Sequence, residues 1–382
     1  MKFITVVLFL FVTISVFSQN VNVSDYQVPI SKAQTLRFNG AWNWGQLGDS
    51  VTSNNANGNL TYRTFYSSLP LAWFLNIDAA GSNAAKNNSN PFVYNVQLDA
   101  RFSKYIWDDK DLFGFGELNA SQTDTSKQIA SDLTIGFGYG RYIDATALAK
   151  AVRIEDHLLK DKVISNNLPK EIMINIANII ERENEFKDEY GEVYETYWFD
   201  AIEQEIKKSD VLTKGSIGSI GILRMRQVLF GINERVNPRY YGWDVTAGIL
   251  FPLSTADKSP VGNPNFSIGG RYAIPLNWSL QINMTARAYT PLDSAFFKTA
   301  TLSAGADFIY ELSNKINFVS SYNLGIYKAY TGIAAVISHE LNASFWFYIE
   351  NNIYLTVTAD LLKQGSNPRN ITTSMGLQYN LF

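Results

Sequence analysis

The chain has 382 residues, of which 46% are hydrophobic, 14% aromatic and 18% charged, with a net charge of -3. A chain this close to neutral lacks the basic surface that binds phosphate backbones, so no nucleic-acid partner is expected. It also has no cysteine, which excludes disulfide bonds and a lipid-modified cysteine.

The N-terminus has the pattern of an export signal. Lys2 precedes an apolar run from Phe3 to Phe17, and Ser18 follows as a small residue suited to cleavage. A membrane-spanning helix needs roughly 20 apolar residues, more than this run provides. The pattern predicts a signal peptide over residues 1–18, cleaved near Ser18, and a periplasmic N-terminal segment over residues 19–33.

Most of the chain alternates apolar and polar residues with period two, which is typical of strands with two different faces. In Phe92 to Tyr105, for example, Tyr94 and Leu98 alternate with Gln97 and Asp99. About fourteen such segments occur, six within residues 34–143 and eight within residues 239–382. They predict an all-β transmembrane barrel of about 14 antiparallel strands. The facing of the segment Leu112 to Leu118 stays unassigned.

The connections alternate in length, as expected for a barrel with long outer loops and short periplasmic turns. Long polar stretches cover residues 48–58, 81–91, 121–129, 254–264 and 364–369, and tight links lie at 68–70, 108–110, 275–277, 313–315 and 350–352.

Residues 144–238 break the strand pattern with apolar residues spaced three and four apart, which predicts an α-helical insertion between strands 6 and 7. We expect one helix from Asp144 through Val163, a second beginning at Pro169, a third from about Glu192 to Lys208 and a fourth from Ser216. An even number of strands precedes the insertion. It is therefore expected in the periplasm, either hanging there or folded into the lumen as a plug.

Residues 151–210 of the insertion contain fifteen acidic and eight basic residues. This surplus fits a solvated helical surface. It also fits an acidic surface for a basic periplasmic protein partner or a cation.

Charged residues of both signs fall on the polar positions of the predicted strands, where a barrel interior would place them. In water they would set a field that selects small polar or charged solutes; alternatively, they would form ion pairs that satisfy one another. The candidate pore-lining residues are Arg37, Arg63, Asp78, Asp99, Arg101, Asp132, Asp244, Arg271, Arg287, Asp307, Glu311, Glu340 and Asp360.

Aromatic residues near the predicted strand ends fit the girdles that mark the two membrane interfaces of a barrel. Each could instead be ordinary core packing. The candidates are Trp42, Trp44, Tyr62, Trp73, Tyr241, Trp243, Trp278, Tyr310, Phe347 and Tyr379.

Signatures of enzymes and of metal or cofactor sites are nearly absent. The two histidines, His157 and His339, have no recognisable serine partner, and ligands of the usual His and Cys type are lacking. We therefore expect no catalytic residue, no metal and no cofactor; an outer-membrane enzyme using Glu340 and Asp360 is the less favoured alternative. Gly136, Gly138 and Gly140 alternate with apolar residues within a strand, which favours close packing or a bend over a phosphate-binding loop.

The final segment, Asn370 to Phe382, alternates with period two and ends in Leu377-Gln378-Tyr379-Asn380-Leu381-Phe382. Together with the export signal, the alternating strands and the girdle aromatics, it resembles the bacterial outer-membrane β-barrel proteins. In those proteins the terminal aromatic shares the phase of the preceding apolar residues, whereas here Leu381 takes that position and Phe382 falls out of phase.

The resemblance covers about three quarters of the chain and implies a Gram-negative outer-membrane location, contact with outer-membrane lipid and insertion by the barrel-assembly machinery. It also implies, by analogy with porins, a pore for small polar or charged solutes, with the helical insertion as a periplasmic gate or docking module. The alternative is a closed barrel that anchors a periplasmic protein-interaction module.

Overall fold

Fourteen strands form one antiparallel sheet in the computed structural model, and each strand pairs with its neighbours in the chain. The structure describes residues 20–84, 92–107, 110–232, 234–329, 334–349 and 353–379. The predicted signal peptide lies outside these residues. The predicted strand number and the helical insertion between β6 and β7 are confirmed.

The strands are β1 (Ser31–Leu47), β2 (Ser50–Ser67), β3 (Leu71–Ala84), β4 (Phe92–Tyr105), β5 (Leu112–Thr123), β6 (Ala130–Asp144), β7 (Tyr240–Ser254), β8 (Asn265–Pro275), β9 (Leu280–Pro291), β10 (Ala300–Ser313), β11 (Ile316–Lys328), β12 (Val336–Ile349), β13 (Ile353–Gln364) and β14 (Asn370–Tyr379).

The ladder register assigns the facing that the sequence of β5 leaves open. Phe115 pairs with Ser103 on β4 and with Gly136 on β6, and Glu117 pairs with Arg101. Because directly paired residues share a face of an antiparallel sheet, Phe115 and Glu117 lie on the same face as Arg101.

The prediction of an outer loop over residues 48–58 is wrong. β1 and β2 run for 17 and 18 residues and are joined by a tight turn at Gly48 and Asp49, with Asn43 paired to Asn55. The Ser- and Asn-rich sequence reads as a loop, yet ladder pairing satisfies its backbone groups just as well as water would.

The described part of the insertion contains five α-helices, α1 (Thr146–Lys160), α2 (Lys170–Glu181), α3 (Glu183–Tyr190), α4 (Tyr194–Lys207) and α5 (Gly218–Phe230), with a 3-10 turn at Gly191–Val193 between α3 and α4. Pro169 immediately precedes α2, as its fixed φ favours. The Asp144 carboxylate accepts a hydrogen bond from the Thr146 N–H at 2.9 Å and so stabilises the start of α1. The sequence does not predict α3, because its eight residues carry no buried apolar stripe.

The helices enclose a hydrophobic core of their own, centred on the fully buried Trp198, Ile154, Met173 and Ile202. The N-terminal segment packs into the same core through Val21, Val23 and Tyr26. The core therefore joins the beginning of the chain to the middle of it.

The two ends of the sheet carry its most exposed apolar residues. Phe38 and Trp42 on β1 are 72% and 68% exposed, and Met375 on β14 is 75% exposed. Within the described residues no hydrogen-bonded ladder joins β1 to β14.

Candidate functional site: a polar cavity closed at one end by the helical insertion

The register separates the sheet into a polar face and an apolar face. All thirteen candidate pore-lining residues fall on one set of alternating positions, which we call the polar face. Asp78, for example, pairs with Thr61 and with Gln97, and Asp307 pairs with Asn283 and with Ser321. Their role in a pore stays a prediction.

The polar face lines a cavity of about 950 Å³ to which strands β3 through β13 all contribute. Arg101, Asp244, Arg271, Arg287 and Glu340 line it. Asp99 and Asp132 line a smaller cavity of about 360 Å³. The remaining candidates, Arg37, Arg63, Asp78, Asp307, Glu311 and Asp360, lie outside both linings.

Two arginines of the large cavity lie beside carboxylates on the adjacent strand. The Arg271 Nε lies 3.0 Å from the Asp244 Oδ1, and its guanidinium lies 4.5 Å from the centroid of the Tyr142 ring. Arg101 lies 3.9 Å from Glu117. These two cations and their partners behave as the ion-paired lining that the sequence leaves open.

Three carboxylates of the polar face bind uncharged partners. Asp78 accepts from the Thr61 hydroxyl at 2.8 Å, and Asp132 accepts from the Asn119 amide at 3.0 Å. Asp360 accepts from the Asn342 amide. Such bonds hold the side chains across neighbouring strands and leave their negative charge in place.

Arg287 and Glu340 differ from these residues. Within the part of the chain that the structure describes, neither has an oppositely charged group within 4.0 Å. Arg287 makes one side-chain hydrogen bond, to the Tyr289 hydroxyl at 3.3 Å, and it is exposed to the cavity. Among the described residues that line the cavity, Arg287 is thus the one cation, and Glu340 the one anion, without an oppositely charged partner.

Glycines on β6 let aromatic rings lie against the wall of the cavity. A Cβ on Gly138 would lie 2.2 Å from the Phe113 ring, and one on Gly136 would lie 2.3 Å from the Ala247 carbonyl oxygen. Gly140 has φ of +112°, a conformation that side chains disfavour. The expected close packing at these glycines is confirmed.

The end of the polar face next to the insertion is closed by a buried ion cluster. Glu311 on β10, 4% exposed, accepts from Arg239 at 2.9 Å and pairs with Arg153 of α1. Glu234, which precedes β7, pairs with Arg153 at 3.2 Å and with His157 at 2.8 Å. The cluster therefore ties a helix of the insertion to a strand of the sheet.

Neutral polar groups extend this closed end. The Asn237 N–H and amide both donate to Glu311 at 2.9 Å, and the Arg239 guanidinium donates to the Trp278 carbonyl at 2.8 Å. Burial lowers the pKa of Arg239, and the charge of Glu311 opposes that effect. A fully desolvated guanidinium with this many partners fixes the geometry of the chain that links α5 to β7.

Exposure along β9 shows where the cavity opens. Gln281 and Asn283, next to the insertion, are 0% and 6% exposed, whereas Thr285 and Arg287 on the same face are exposed. On β10, likewise, Ile309 and Glu311 next to the insertion are buried, whereas Ser303 at the other end of the same face is exposed. The polar face is thus covered at the insertion end and accessible at the other.

The girdle candidates divide into two groups. Trp42, Trp44, Trp73 and Trp243 are 68%, 52%, 37% and 44% exposed. Tyr62, Tyr310 and Phe347 are partly buried on the same apolar face, and the side chain of Tyr379 lies outside the described residues.

Tyr241 and Trp278 contact the N-terminal segment instead. The Tyr241 hydroxyl donates to the Tyr26 carbonyl, and the Trp278 Nε1 donates to the Val21 carbonyl at 3.0 Å. Both side chains therefore connect the sheet to the core of the insertion.

The sequence does not reveal the partners in the ion cluster. Arg153, Glu234 and Arg239 lie on helices or links, and Glu311 comes next to them only through the fold. The one available signal is that Arg153 and His157 are four residues apart, and hence share a face of α1.

The His157 Nε2 lies 2.8 Å from a Glu234 carboxylate oxygen within the buried cluster, and the His339 Nδ1 lies 2.7 Å from the Tyr322 hydroxyl. Among the described residues no group of three or more His, Cys, Asp or Glu side chains is arranged to hold a metal ion.

No protein-family model matches the chain, and no curated protein matches it. Within the described residues, no helix has both the length and the apolar content needed to cross a membrane.

Proposed function

We propose that this chain is an outer-membrane β-barrel whose polar cavity is a pore for small polar or charged solutes and whose helical insertion closes the periplasmic end. The observation that carries the proposal is the change in exposure along the polar face, from Gln281 at 0% to the exposed Arg287. A lining that is open at one end and sealed by a separate domain at the other is the arrangement of a gated channel.

The apolar face supports a membrane environment. Phe38, Trp42, Phe137 and Met375 are all more than 60% exposed, and in water such a surface would drive aggregation. Outer-membrane lipid is the solvent that suits it, and a barrel reaches that location through the barrel-assembly machinery.

A barrel requires β1 to pair with β14. Asn39 lies on the polar face of β1 and Ser374 on the polar face of β14. Cysteines at Asn39 and, in turn, at Thr372, Ser374 or Gly376 are expected to form a disulfide at one of these positions in a chain with no other cysteine. The directly paired Asn39 and Asn59 are the positive control. Failure of all three pairs, with the control oxidised, would argue against closure of the sheet in these registers.

Conductance tests the pore and the gate. Asp144 pairs directly with Tyr240, so residues 145–239 can be replaced by a short Gly-containing turn without changing the register of β6 and β7. In planar bilayers the intact protein is expected to conduct weakly and the shortened protein to conduct steadily. If heat-modifiable gel mobility shows that both proteins are folded and neither conducts, the pore is ruled out.

A closed barrel that anchors a periplasmic interaction module is the second candidate. The buried cluster of Arg153, Arg239 and Glu311 favours it, because such a fixed contact suits a permanent anchor as well as a gate. Silence in both bilayer experiments, together with specific capture of a basic periplasmic protein by the acidic helices, would support this candidate.

A further inference from the structure

The cavity wall contains a rectangular patch that is four strands wide and two residue rows high. One row runs from Arg287 on β9 to Ser338 on β12, and the other runs from Thr285 to Glu340 across the same strands. Arg287 and Glu340 occupy opposite corners. The other six positions are all small or uncharged, and they are Thr285, Ser303, Gly305, Asn323, Gly325 and Ser338.

Glycines in the middle of the patch leave space above the sheet, because they have no side chain. A Cβ on Gly325 would lie 2.4 Å from the Ser338 hydroxyl, and one on Gly305 would lie 3.0 Å from the Thr285 hydroxyl. Larger residues at these positions would fill the space between the two charged corners. All eight positions line the 950 Å³ cavity, whose size is within the range of small-molecule sites.

The two corner charges are complementary and are held apart. Three strand spacings and one residue pair separate their backbones by about 16 Å along the sheet, so the side chains do not neutralise each other. The hydroxyl and amide groups between them can accept or donate hydrogen bonds to a solute. A guanidinium binds a carboxylate in two parallel hydrogen bonds, and a carboxylate binds an ammonium group.

We infer that this patch binds a zwitterionic solute of amino-acid or dipeptide size, with its carboxylate on Arg287 and its ammonium group on Glu340. The inference rests on the proposed function in that it makes such solutes the substrate class of the pore. Asp244 already pairs with Arg271, and Arg101 lies on β4, outside the four strands that carry the patch.

Binding can be measured without transport, by titration calorimetry of the full-length protein in detergent with glycylglycine. We expect glycylglycine to bind at least about tenfold more tightly than its N-acetylated form and than its C-terminal amide, because each capped form lacks one charged contact. Equal affinities for the three probes, or no binding of glycylglycine, would overturn the assignment.

Two variants assign the corners. R287Q should abolish the preference for glycylglycine over the amide, and E340Q should abolish the preference over the N-acetylated form. R63Q and D360N are matched controls, since both residues lie on the polar face outside the cavity lining, and they should bind glycylglycine as the unmodified protein does. Equal losses in the controls would show that general charge, not this patch, is responsible.

The outcome is separable from that of the bilayer experiment. Selective binding without conductance would keep the site and refute the pore, whereas conductance without selective binding would keep the pore and refute the site.

Discussion

The main-chain N–H of Lys32 on β1 donates to the Glu185 carboxylate of α3 at 3.0 Å. The Gln34 N–H donates to Asp188, one helical turn further on, at 2.9 Å. An unpaired edge strand exposes a row of such groups. The acidic helix α3 therefore covers the beginning of the β1 edge. The sequence alone does not decide whether the acidic residues of the insertion form a solvated surface or a partner-binding surface, and two of them, Glu185 and Asp188, instead bind β1.

Replacing both Glu185 and Asp188 with alanine should expose this edge. Hydrogen bonds to charged groups are worth about 1.5–3 kcal/mol, so exchange at the Lys32 and Gln34 amides should become at least about tenfold faster. Hydrogen–deuterium exchange with fragment-level mass analysis measures this. Because Glu185 also pairs with Arg182 at 2.6 Å, R182A is the matched control and should leave exchange in β1 unchanged.

The ion cluster predicts a release of the insertion when its central carboxylate is neutralised. Breaking a buried ion pair costs about 3–5 kcal/mol, and E311Q leaves Arg153 and Arg239 without their shared anion. Limited proteolysis between residues 230 and 240 should become faster. D307N, on the same strand and face, should not change the cleavage rate. Identical cleavage of the two variants would argue that the ion cluster does not hold the insertion against the sheet.

A pH dependence is expected within the insertion from Glu155, which is 1% exposed. Burial raises its pKa to about 7, while the hydrogen bond from the Leu168 N–H opposes that rise. Because the pKa in the folded protein exceeds the unfolded value, the folded form binds more protons, and stability falls as pH rises from about 4.5 to 7.

E155Q keeps an acceptor for Leu168 and removes the charge. It should stabilise α1 by about 1–3 kcal/mol at pH 8 and leave its stability at pH 4 nearly unchanged. Amide exchange in α1 at the two pH values reports the difference. E171Q, at an exposed position of α2, is the control and should leave amide exchange in α1 unchanged.

The packing of β6 against β7 predicts a severe effect of a single methyl group. A Cβ on Gly136 would meet the Ala247 carbonyl at 2.3 Å, and backbone cannot move aside as a side chain can. G136A should therefore lower the folded fraction in refolding assays read by heat-modifiable mobility. G116A on β5 has its nearest neighbour at 3.9 Å and should refold normally.

Topology can be tested with single cysteines at Asn184 and Ser259, both exposed in the structure. If the insertion faces the periplasm, a membrane-impermeant thiol reagent added to intact cells should label position 259 only. Permeabilised cells provide the control, since both positions should then react. Labelling of position 184 in intact cells would place the insertion on the outside or in an open lumen.

The sequence predicts the faces of the strands well, because a period of two follows directly from strand geometry. Arg101 and Arg287 can be placed on the polar face without knowing any partner. The pairing of Arg101 with Glu117 requires the register between β4 and β5, and no short-range pattern encodes it. The sequence therefore predicts which face of the strand carries a charged residue, but it does not predict the oppositely charged partner of that residue.

Glu311 shows a second limit. Its phase within β10 predicts the polar face correctly, yet its contacts come from residues 153, 237 and 239, which only the folded insertion brings together. The sequence does not predict α3 for a related reason, because its acidic side chains bind the edge of β1 and it has no apolar stripe. Contacts between the two parts of the fold carry no periodic signal in either part.

The pairing of Asp144 with Tyr240 also has a consequence for the order of assembly. All other consecutive strands are separated by ten residues or fewer, whereas β6 and β7 are separated by the 95 residues 145–239. Closing that longer loop costs about 2 kcal/mol more in chain entropy than closing a loop of ten. The hairpins within β1–β6 and the hairpins within β7–β14 can therefore form first, each half by itself. The two halves of the sheet are expected to join late, once the folded helices hold residues 144 and 240 side by side.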